Sequence, residues 1–413
     1  MNAKRFFLTA LSLLLILATL FPLASCGVTA PAATEAVTTA EPATAEITNP
    51  ESIAAETTAE PAKYTVVLNA PSTTAIHTAM QAQYLAESDP DTASSYAAWK
   101  EELGRPNPIV LTWDVETELA ESDIRAFTLR IWRKSAPRQT VSKVLAKSVR
   151  AYSFVNAMVG ETYCWTVTAT DGDGATYPSE VATFTTEDQA PRNLTIDGVT
   201  NVRDLGGWKT TDGKRVKQGL LFRTSALDCY SESERKMKDL VTPDGKSTLT
   251  DQIGIRTEID LRRDHESESG YPPEGITEST LGEGVRYLHC PILLGPENYL
   301  NSIDSLRTIF GTLADPENYP VAYHCAVGAD RTGAVTYLIL GLLGVGDCDL
   351  MRDYLWTNFS NQQMYRPPIN RGYKITLDET AGDTMQEKVR RVLSETIGIP
   401  EAELDRIAAF LTE

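Results

Sequence analysis

Hydrophobic and polar residues alternate with a period of two through the region from 64 to 188. In AFTLRIW every second residue from Phe127 to Ile131 shares one face, and in YCWTVTA every second residue from Tyr163 to Ala169 does so. This alternation is typical of strands with one buried face. PNPIVLTWD and PSEVATFTTE add an earlier and a final strand. The pattern predicts an all-β sandwich.

One segment of this region does not fit a strand. The stretch from Ala75 to Leu103 has the spacing of a helix. We expect it to be either an insertion into the sandwich or a cap on it.

A second pattern begins after Ala190-Pro191, where apolar runs alternate with amphipathic segments. GLLFRTSAL, IRTEIDL, VRYLHCPI and PVAYHC are predicted strands. Predicted helices are Tyr299 to Leu313, Thr332 to Leu343, Cys348 to Phe359, Met385 to Ile397 and Pro400 to Leu411. Interleaved strands and helices predict an α/β domain over 190–413, with a mostly parallel sheet flanked by helices.

The first 26 residues have the features of an export signal. Lys4-Arg5 precede an apolar run from Phe6 to Leu20, which is too short to be a typical membrane span. Leu-Ala-Ser-Cys26 follows and resembles the lipobox of bacterial lipoproteins. We therefore expect an exported protein, anchored through a lipid on Cys26 to the outer face of the bacterial cell membrane. The alternative is an ordinary signal peptide.

Residues 27–63 contain mainly Ala, Thr, Glu and Pro, and have no aromatic residue. Such a composition cannot bury enough apolar surface to offset the entropy lost on ordering. We predict a disordered tether between the anchor and the sandwich.

Charge excludes one class of partner. Lys and Arg number 38 and Asp and Glu number 56, a net charge of −18. This field repels phosphate backbones, so no nucleic-acid partner is expected.

Cysteine and histidine spacing predicts neither a disulfide framework nor a metal site. With Cys26 lipidated, five widely spaced cysteines remain, and the four histidines show no ligand spacing. The DGDG sequence at 171–174 lacks the rest of a calcium loop and is interpreted as a hairpin turn. No cofactor is expected.

The stretch HCAVGADRTG has the pattern of an anion-binding loop. A strand ends at Cys325 and a helix begins near Arg331, so loop N–H groups and the helix N-terminus converge. Arg331 can bind two phosphate oxygens at once. We expect the loop and the first residues of the helix to contact substrate: Ala326, Val327, Gly328, Ala329, Thr332 and Gly333.

The same positive field favours a thiolate at Cys325. A thiolate facing a bound phosphomonoester can attack phosphorus and form a phosphocysteine, which water then hydrolyses without a metal. Thr332 can ease departure of the sulfur. The alternative is a buried structural cysteine before a turn.

These residues resemble the His-Cys-x5-Arg-Thr-Gly loop of cysteine-dependent tyrosine phosphatases. NVRDLGG and TEIDLRRDHE extend the resemblance to the bacterial family with dual protein and lipid phosphatase activity. The resemblance implies Cys325 as nucleophile and Arg331 as phosphate clamp. It also implies Arg203, Asp204 and Arg262 as further site residues.

Two departures from that family affect the expected substrate and acid. Ala329 stands where the family commonly has lysine, which argues against polyphosphorylated lipids. For the proton donor, Asp330 is the first candidate, followed by Asp264 and Glu297. Asp330 could instead only orient Arg331.

The strand region carries a weaker resemblance. GETYCWTVTATDGDG is similar to the end of a fibronectin type III domain, with Tyr163 as the tyrosine-corner residue. This implies a fibronectin- or immunoglobulin-like sandwich over 64–188, with a protein or glycan partner.

The sequence therefore predicts an exported protein-tyrosine phosphatase that acts on phosphotyrosine proteins or small phosphomonoesters. The alternatives are an inositol-phosphate or phosphoinositide phosphatase, and a surface protein that only captures phosphorylated ligands. Cys290, in LHCP, is either a buried strand residue or a redox partner of Cys325.

Overall fold

The computed structural model describes residues 63–96, 104–117, 123–360, 366–367 and 373–413. The predicted export signal, Cys26 and almost all of the predicted tether lie outside these residues. The described residues belong to one compact unit. No helix among them is long and apolar enough to cross a membrane.

Among the described residues before 190, eight antiparallel strands form two sheets. One sheet has the order β1-β2-β5, and the other has the order β4-β3-β6-β7, with β8 also paired to β6. The strands are β1 Thr65–Asn69, β2 Ile109–Glu116, β3 Ile124–Arg133, β4 Ala136–Ala146, β5 Ala151–Phe154, β6 Thr162–Asp171, β7 Thr176–Pro178 and β8 Ala182–Thr185.

The faces predicted from alternation are the faces that meet in this sandwich. Phe127, Leu129 and Ile131 of β3 and Trp165 of β6 are buried together with Trp113 of β2. The sequence did not indicate β4, because most of its residues are exposed on an edge strand and carry no alternation.

The Tyr163 hydroxyl accepts a hydrogen bond from the backbone N–H of Met158 at 2.9 Å. A tyrosine corner makes a contact of this kind with backbone a few residues upstream.

A helical segment leaves the sandwich between β1 and β2. It comprises α1, Ala79–Ala86, and a 3-10 helix, Pro90–Ser95. Tyr84, Leu85 and Ala93 from it are buried in the hydrophobic core of the α/β region. The segment is thus an insertion in the chain order of the sandwich and a cap on the neighbouring region, not on the sandwich.

The α/β region is built on a six-stranded sheet of order β15-β14-β16-β11-β10-β9. The first four strands in this order run parallel, and β10 and β9 are antiparallel. Its strands are β9 Arg192–Asn193, β10 Arg203–Asp204, β11 Leu221–Thr224, β14 Thr257–Asp260, β15 Arg286–His289 and β16 Val321–His324. A separate hairpin consists of β12 Asp228–Ser231 and β13 Lys236–Asp239.

Helices surround this sheet. They are α2 Pro243–Ser247, α3 Ile303–Leu313, α4 Asp330–Leu342, α5 Asp347–Trp356, α6 Tyr373–Glu379, α7 Met385–Arg391 and α8 Glu401–Leu411. Short 3-10 or π-helical turns span Thr248–Ile253, Pro296–Asn301, Pro316–Asn318, Thr357–Phe359 and Val392–Thr396. Helix α4 is buried from Arg331 to Leu342, so it lies at the centre of the region.

The four parallel strands end at one edge of the sheet. In register, Thr224, Asp260 and His289 lie at the level of His324, the last residue of β16. The loops that follow these strands therefore meet, as ligand-binding loops do in open parallel sheets.

Candidate active site

Cys325 follows β16 directly and is 1% exposed, and α4 begins five residues later at Asp330. The loop between them is short and connects a buried strand to a buried helix, so the thiol has a defined position. The predicted strand, loop and helix are all present at this junction.

Carbonyl oxygens of this loop are held from outside by buried side chains. Asn201 Nδ2 and Arg223 Nη2 each donate to the Gly328 carbonyl at 2.8 Å. With the carbonyl turned outward, the loop can turn N–H groups inward, and those of Val327 and Thr332 interact with the thiol of Cys325. Asn201 and Arg223 thus fix the shape of this loop, which we call the cradle.

Gly328 adopts φ +66° because the loop must turn tightly there. A Cβ at this position would lie 2.4 Å from the carbonyl oxygen of Thr224, which is a backbone atom of β11. Both the left-handed conformation and the close approach of the strand require glycine.

Asp353 of α5 anchors the arginines beneath the loop. It accepts hydrogen bonds from Arg223 Nη1 at 2.7 Å and from Arg203 Nη2 at 3.4 Å. Arg203 Nη1 also donates to Asn201 Oδ1 at 2.6 Å. Burial alone would raise the pKa of Asp353, but the two guanidinium groups lower it below its ordinary value.

Arg203 is therefore bound within the protein. Burial, followed by the charge of Arg223, lowers its pKa to about 10. It supports the loop through Asn201 and does not face the cradle as the predicted substrate ligand. Neither Asp353 nor Arg223 was among the predicted site residues, because nothing in the local sequence marks residues that act from below a loop.

Opposing effects set the ionisation of Cys325. Burial alone raises the pKa of the thiol, but Arg331, the Thr332 hydroxyl and the N–H groups of Thr332 and Val327 bring it below its ordinary value. Arg331 and these donors thus favour the thiolate form of Cys325.

Arg331 is fixed by a carboxylate that the sequence did not reveal. Its Nη1 and Nη2 donate to Glu268 Oε2 and Oε1 at 2.6 and 2.5 Å, and Nη1 also reaches the Leu261 carbonyl at 3.3 Å. Burial alone would lower the pKa of the Arg331 guanidinium, but Glu268 raises this pKa above its ordinary value. Glu268 orients the guanidinium beside Cys325, the task considered for Asp330.

His324, the residue before the cysteine, is fully buried between carboxylates. Its Nε2 lies 2.9 Å from Glu258 Oε1 and its Nδ1 lies 3.8 Å from Asp260 Oδ1. Burial lowers the pKa of this imidazole, but Asp260 and Glu258 raise it above its ordinary value. The pair of carboxylates fixes the end of β16.

Arg262 was predicted to bind substrate, but its guanidinium is bound by other protein groups. Its guanidinium donates to Asp228 and Asp260, each at 2.7 Å, and lies 5.5 Å from the ring centre of Tyr271. This buried group holds the β12 hairpin against β14.

Asp204 is likewise occupied by protein groups. It accepts hydrogen bonds from Arg192 Nη1 at 2.7 Å and from the N–H groups of Gly206 and Gly219 at 2.8 and 2.6 Å. It stabilises the turns around β10 instead of contacting a ligand.

The three candidate acids differ in position. Asp330 accepts from Arg366 Nε at 3.0 and 3.2 Å and its side chain is 38% exposed at the start of α4. Asp264 is exposed and caps the N–H of Ser267. The side chain of Glu297 lies outside the described part of the chain. Asp330 alone of these belongs to the loop and helix that carry Cys325 and Arg331.

Cys290 follows β15, and β14 lies between β15 and β16. Two strand spacings of about 4.8 Å place Cys290 roughly 10 Å from Cys325, farther than a disulfide spans. Burial also raises the pKa of Cys290 to about 12, so its thiol is protonated. It is a buried strand-end residue, not a redox partner.

Ala329 is 2% exposed. A longer side chain here would have to leave the interior before it could reach a ligand, so the position is less open than the family comparison suggested. Among the residues that the structure describes, no group of three or more His, Cys, Asp or Glu could hold a metal ion.

Residues 194–413, more than half of the chain, match the model of the "Tyrosine phosphatase family". The chain belongs to this family. It is 27% identical over 210 residues to a Cupriavidus necator protein named "Putative tyrosine-protein phosphatase H16_A0669", covering 44% of this chain and 69% of that protein. The family indicates a hydrolase of the phosphatase class.

Two solved structures are similar to parts of the chain. The core catalytic domain of the PP-IP phosphatase SIW14 from S. cerevisiae is 14% identical, over 45% of this chain and 94% of that one, with a TM-score of 0.26. A redesigned β-sandwich protein is 25% identical, over 19% and 80%, with a TM-score of 0.17.

Proposed function

We propose that this phosphatase hydrolyses phosphomonoesters through a covalent phosphocysteine. The observation that carries the proposal is the position of Cys325 at the end of β16, next to Arg331 and the N–H groups of Val327 and Thr332, which lower the pKa of its thiol. The thiolate forms an S–P bond as the P–O bond to the leaving group breaks, and Arg331 with the loop N–H groups holds the phosphoryl oxygens. Water then attacks phosphorus, the S–P bond breaks, and phosphate leaves.

We assign proton donation to Asp330. The leaving oxygen needs a proton in the first step and the attacking water must lose one in the second, so one carboxyl group can serve both. Arg366 pairs with Asp330 in this structure. For Asp330 to donate a proton to the leaving oxygen, its carboxyl group must be released from the hydrogen bonds of Arg366.

The substrate best supported is an aryl monophosphate such as phosphotyrosine. Among the described residues, four arginines near the loop that could bind a second phosphate are paired: Arg203 and Arg223 with Asp353, Arg262 with Asp228 and Asp260, and Arg366 with Asp330. Arg263 donates to the Ser267 carbonyl. A polyphosphate would have to compete with these carboxylates.

A few exposed apolar side chains lie on the loop or follow the chain next to it. Within the described residues from 190 onward, the exposed large aliphatic residues are Leu240, Leu293, Leu294 and Val327. Ile292 N–H and Arg331 Nη1 donate to the same Leu261 carbonyl, so the chain carrying Leu293 and Leu294 passes beside Arg331. We call Leu293, Leu294 and Val327 the apolar rim. It suits an aromatic ring better than a charged inositol.

The deciding experiment compares kcat/KM for phosphotyrosine peptides with kcat/KM for inositol polyphosphates and phosphoinositides. We expect the peptides to be preferred, in assays that contain EDTA. A higher kcat/KM for the polyphosphates would instead support an inositol-phosphate or phosphoinositide phosphatase. Cys325→Ser should lose turnover and keep vanadate binding. A wild type that binds vanadate but releases no phosphate would be a binding protein.

We also propose that the protein is exported and lipid-anchored through Cys26, and that its sandwich is of the fibronectin type and binds a protein or glycan. The Leu-Ala-Ser-Cys sequence supports the anchor, and the Tyr163 contact to Met158 supports the sandwich type. Cys26→Ala should move the protein from membranes to the soluble exported fraction. Retention of this variant on membranes would refute the anchor.

A further inference from the structure

Asn201 connects residues 353–360 to the loop between Cys325 and Asp330, which we call the phosphate loop. Thr357 Oγ1 accepts a hydrogen bond from Asn201 Nδ2 at 2.8 Å, and Ser360 Oγ donates to Asn201 Oδ1 at 3.2 Å. Asn201 in turn donates to the Gly328 carbonyl at 2.8 Å. Movement of this segment would therefore move the group that holds the loop carbonyl outward.

The opposite face of the same segment is covered by the N-terminal region. The ring of His77 lies edge-on to Trp356 at 5.6 Å, and the Tyr84 ring lies 5.9 Å from Trp356 and 5.5 Å from Phe359. Tyr84 is fully buried. His77 and Tyr84 precede residue 194, where the family match begins, so this contact is an addition to the matched domain.

Gly104 packs directly against Ser360. A Cβ on Gly104 would lie 2.7 Å from Ser360 Oγ and 3.3 Å from Ser360 Cα. The φ of Gly104 lies outside the left-handed range, so its own backbone conformation does not demand glycine. The lack of a side chain instead allows the N-terminal region to touch the residue that hydrogen-bonds Asn201.

We propose that residues 76–96 and 104–105, which we call the bridging segment, are a positioning element for the phosphate loop. They press on Trp356, Phe359 and Ser360, and these keep Asn201 in place to hold the Gly328 carbonyl outward. The effect on rate rests on the proposed phosphatase reaction. The effect on the pKa of the Cys325 thiol does not rest on that reaction, because it depends only on the geometry of the loop.

The test is Gly104→Ala, which adds one methyl group against Ser360. We expect kcat/KM for an aryl phosphate to fall by about tenfold to a hundredfold, since small displacements of catalytic groups have such effects. We also expect the pH midpoint of Cys325 alkylation by iodoacetamide to shift upward, because the loop N–H groups move away from sulfur. Gly284→Ala is the matched control, since its added Cβ would meet no atom within 4 Å.

A double-mutant cycle with Ser360→Ala locates the cause. Removing Ser360 Oγ relieves the closest contact of the added methyl group, so Gly104→Ala should lower kcat/KM several-fold less in that background.

The proposal is overturned if Gly104→Ala folds and matches wild type in both kcat/KM and the Cys325 pH midpoint. If it fails to fold, Tyr84→Leu replaces it: this variant loosens the contact without adding atoms. A folded Tyr84→Leu protein with both readouts unchanged would equally reject the proposal. If wild type lacks phosphatase activity altogether, the alkylation midpoint still decides.

Discussion

Arg331 and Glu268 form a bidentate ion pair beside Cys325, with N–O distances of 2.6 and 2.5 Å. The pair fixes the plane of the guanidinium before any substrate arrives. Because the carboxylate also offsets part of the positive charge felt by the thiol, Glu268 has two opposing effects on the site.

Glu268→Gln should separate these effects. Loss of a charged hydrogen-bond partner, about 1.5–3 kcal/mol, should lower kcat/KM roughly tenfold to a hundredfold through poorer orientation of Arg331. The pKa of Cys325 should fall further, because less negative charge remains near Arg331. Cys325 alkylation against pH measures the second effect. Glu266→Gln, at an exposed position two residues earlier, is the control. A rise in the Cys325 midpoint would contradict this electrostatic account.

The lowered pKa of Cys325 predicts unusual reactivity with pH. Iodoacetamide should modify Cys325 at lower pH than Cys348, although Cys348 is the more exposed, because partial burial and nearby aspartates raise the pKa of Cys348. As pH falls through the folded-state pKa of Cys325, alkylation and kcat/KM should decline together. Peptide mapping of the labelled sites measures this. Arg331→Gln should move the Cys325 midpoint upward, and an unchanged midpoint would show that Arg331 is not its main stabiliser.

Gly328→Ala should disturb the cradle more than the strain of a left-handed backbone conformation alone would. Its Cβ would lie 2.4 Å from the Thr224 carbonyl, whereas Gly174, with φ +86°, has no atom within 4 Å of an added Cβ. Gly174→Ala should therefore cost about 1–2 kcal/mol of stability with no loss of activity. Gly328→Ala should cost more and lower kcat/KM by about a hundredfold. Denaturant unfolding and steady-state kinetics compare the two, and equal effects would show that no steric contact is involved.

Asp330→Asn should reveal proton donation through the leaving group. A peptide phosphotyrosine, with a basic leaving oxygen, should lose about a hundredfold or more in kcat. p-Nitrophenyl phosphate, whose leaving group needs less help, should lose far less. Asp264→Asn changes the exposed rival candidate, and we expect it to leave kcat for both substrates unchanged. Equal losses for both substrates in Asp330→Asn would assign the residue to holding Arg366 rather than to acid catalysis.

The apolar rim should contribute to binding of aryl substrates. Leu294→Ser should raise KM for phosphotyrosine peptides about fivefold, which corresponds to roughly 1 kcal/mol of apolar contact, and leave inhibition by inorganic phosphate unchanged. Val181→Ser, which changes an exposed aliphatic residue of the sandwich between β7 and β8, is the control. The same KM in Leu294→Ser and wild type would remove the rim from the substrate site.

Local patterns were enough to predict the strand, loop and helix around Cys325 and the buried strand faces. Cys325, Gly328 and Arg331 lie within seven residues of each other, and a loop of that length between a strand and a helix has few conformations. The alternation in β3 and β6 likewise predicted which side chains would be buried, because strand geometry alone places every second residue on one face.

Tertiary structure decided the partners of these residues. Glu268 and Arg331 are 63 positions apart, and Arg223 and Asp353 are 130 apart. Arg203, Asp204 and Arg262 stand in recognisable motifs, yet buried carboxylates and N–H groups occupy their polar groups. Sequence shows which residues can carry charge, but a charged group binds whatever the fold brings within about 3 Å of it. The contact of Gly104 with Ser360 likewise exists only because the insertion packs on the second region.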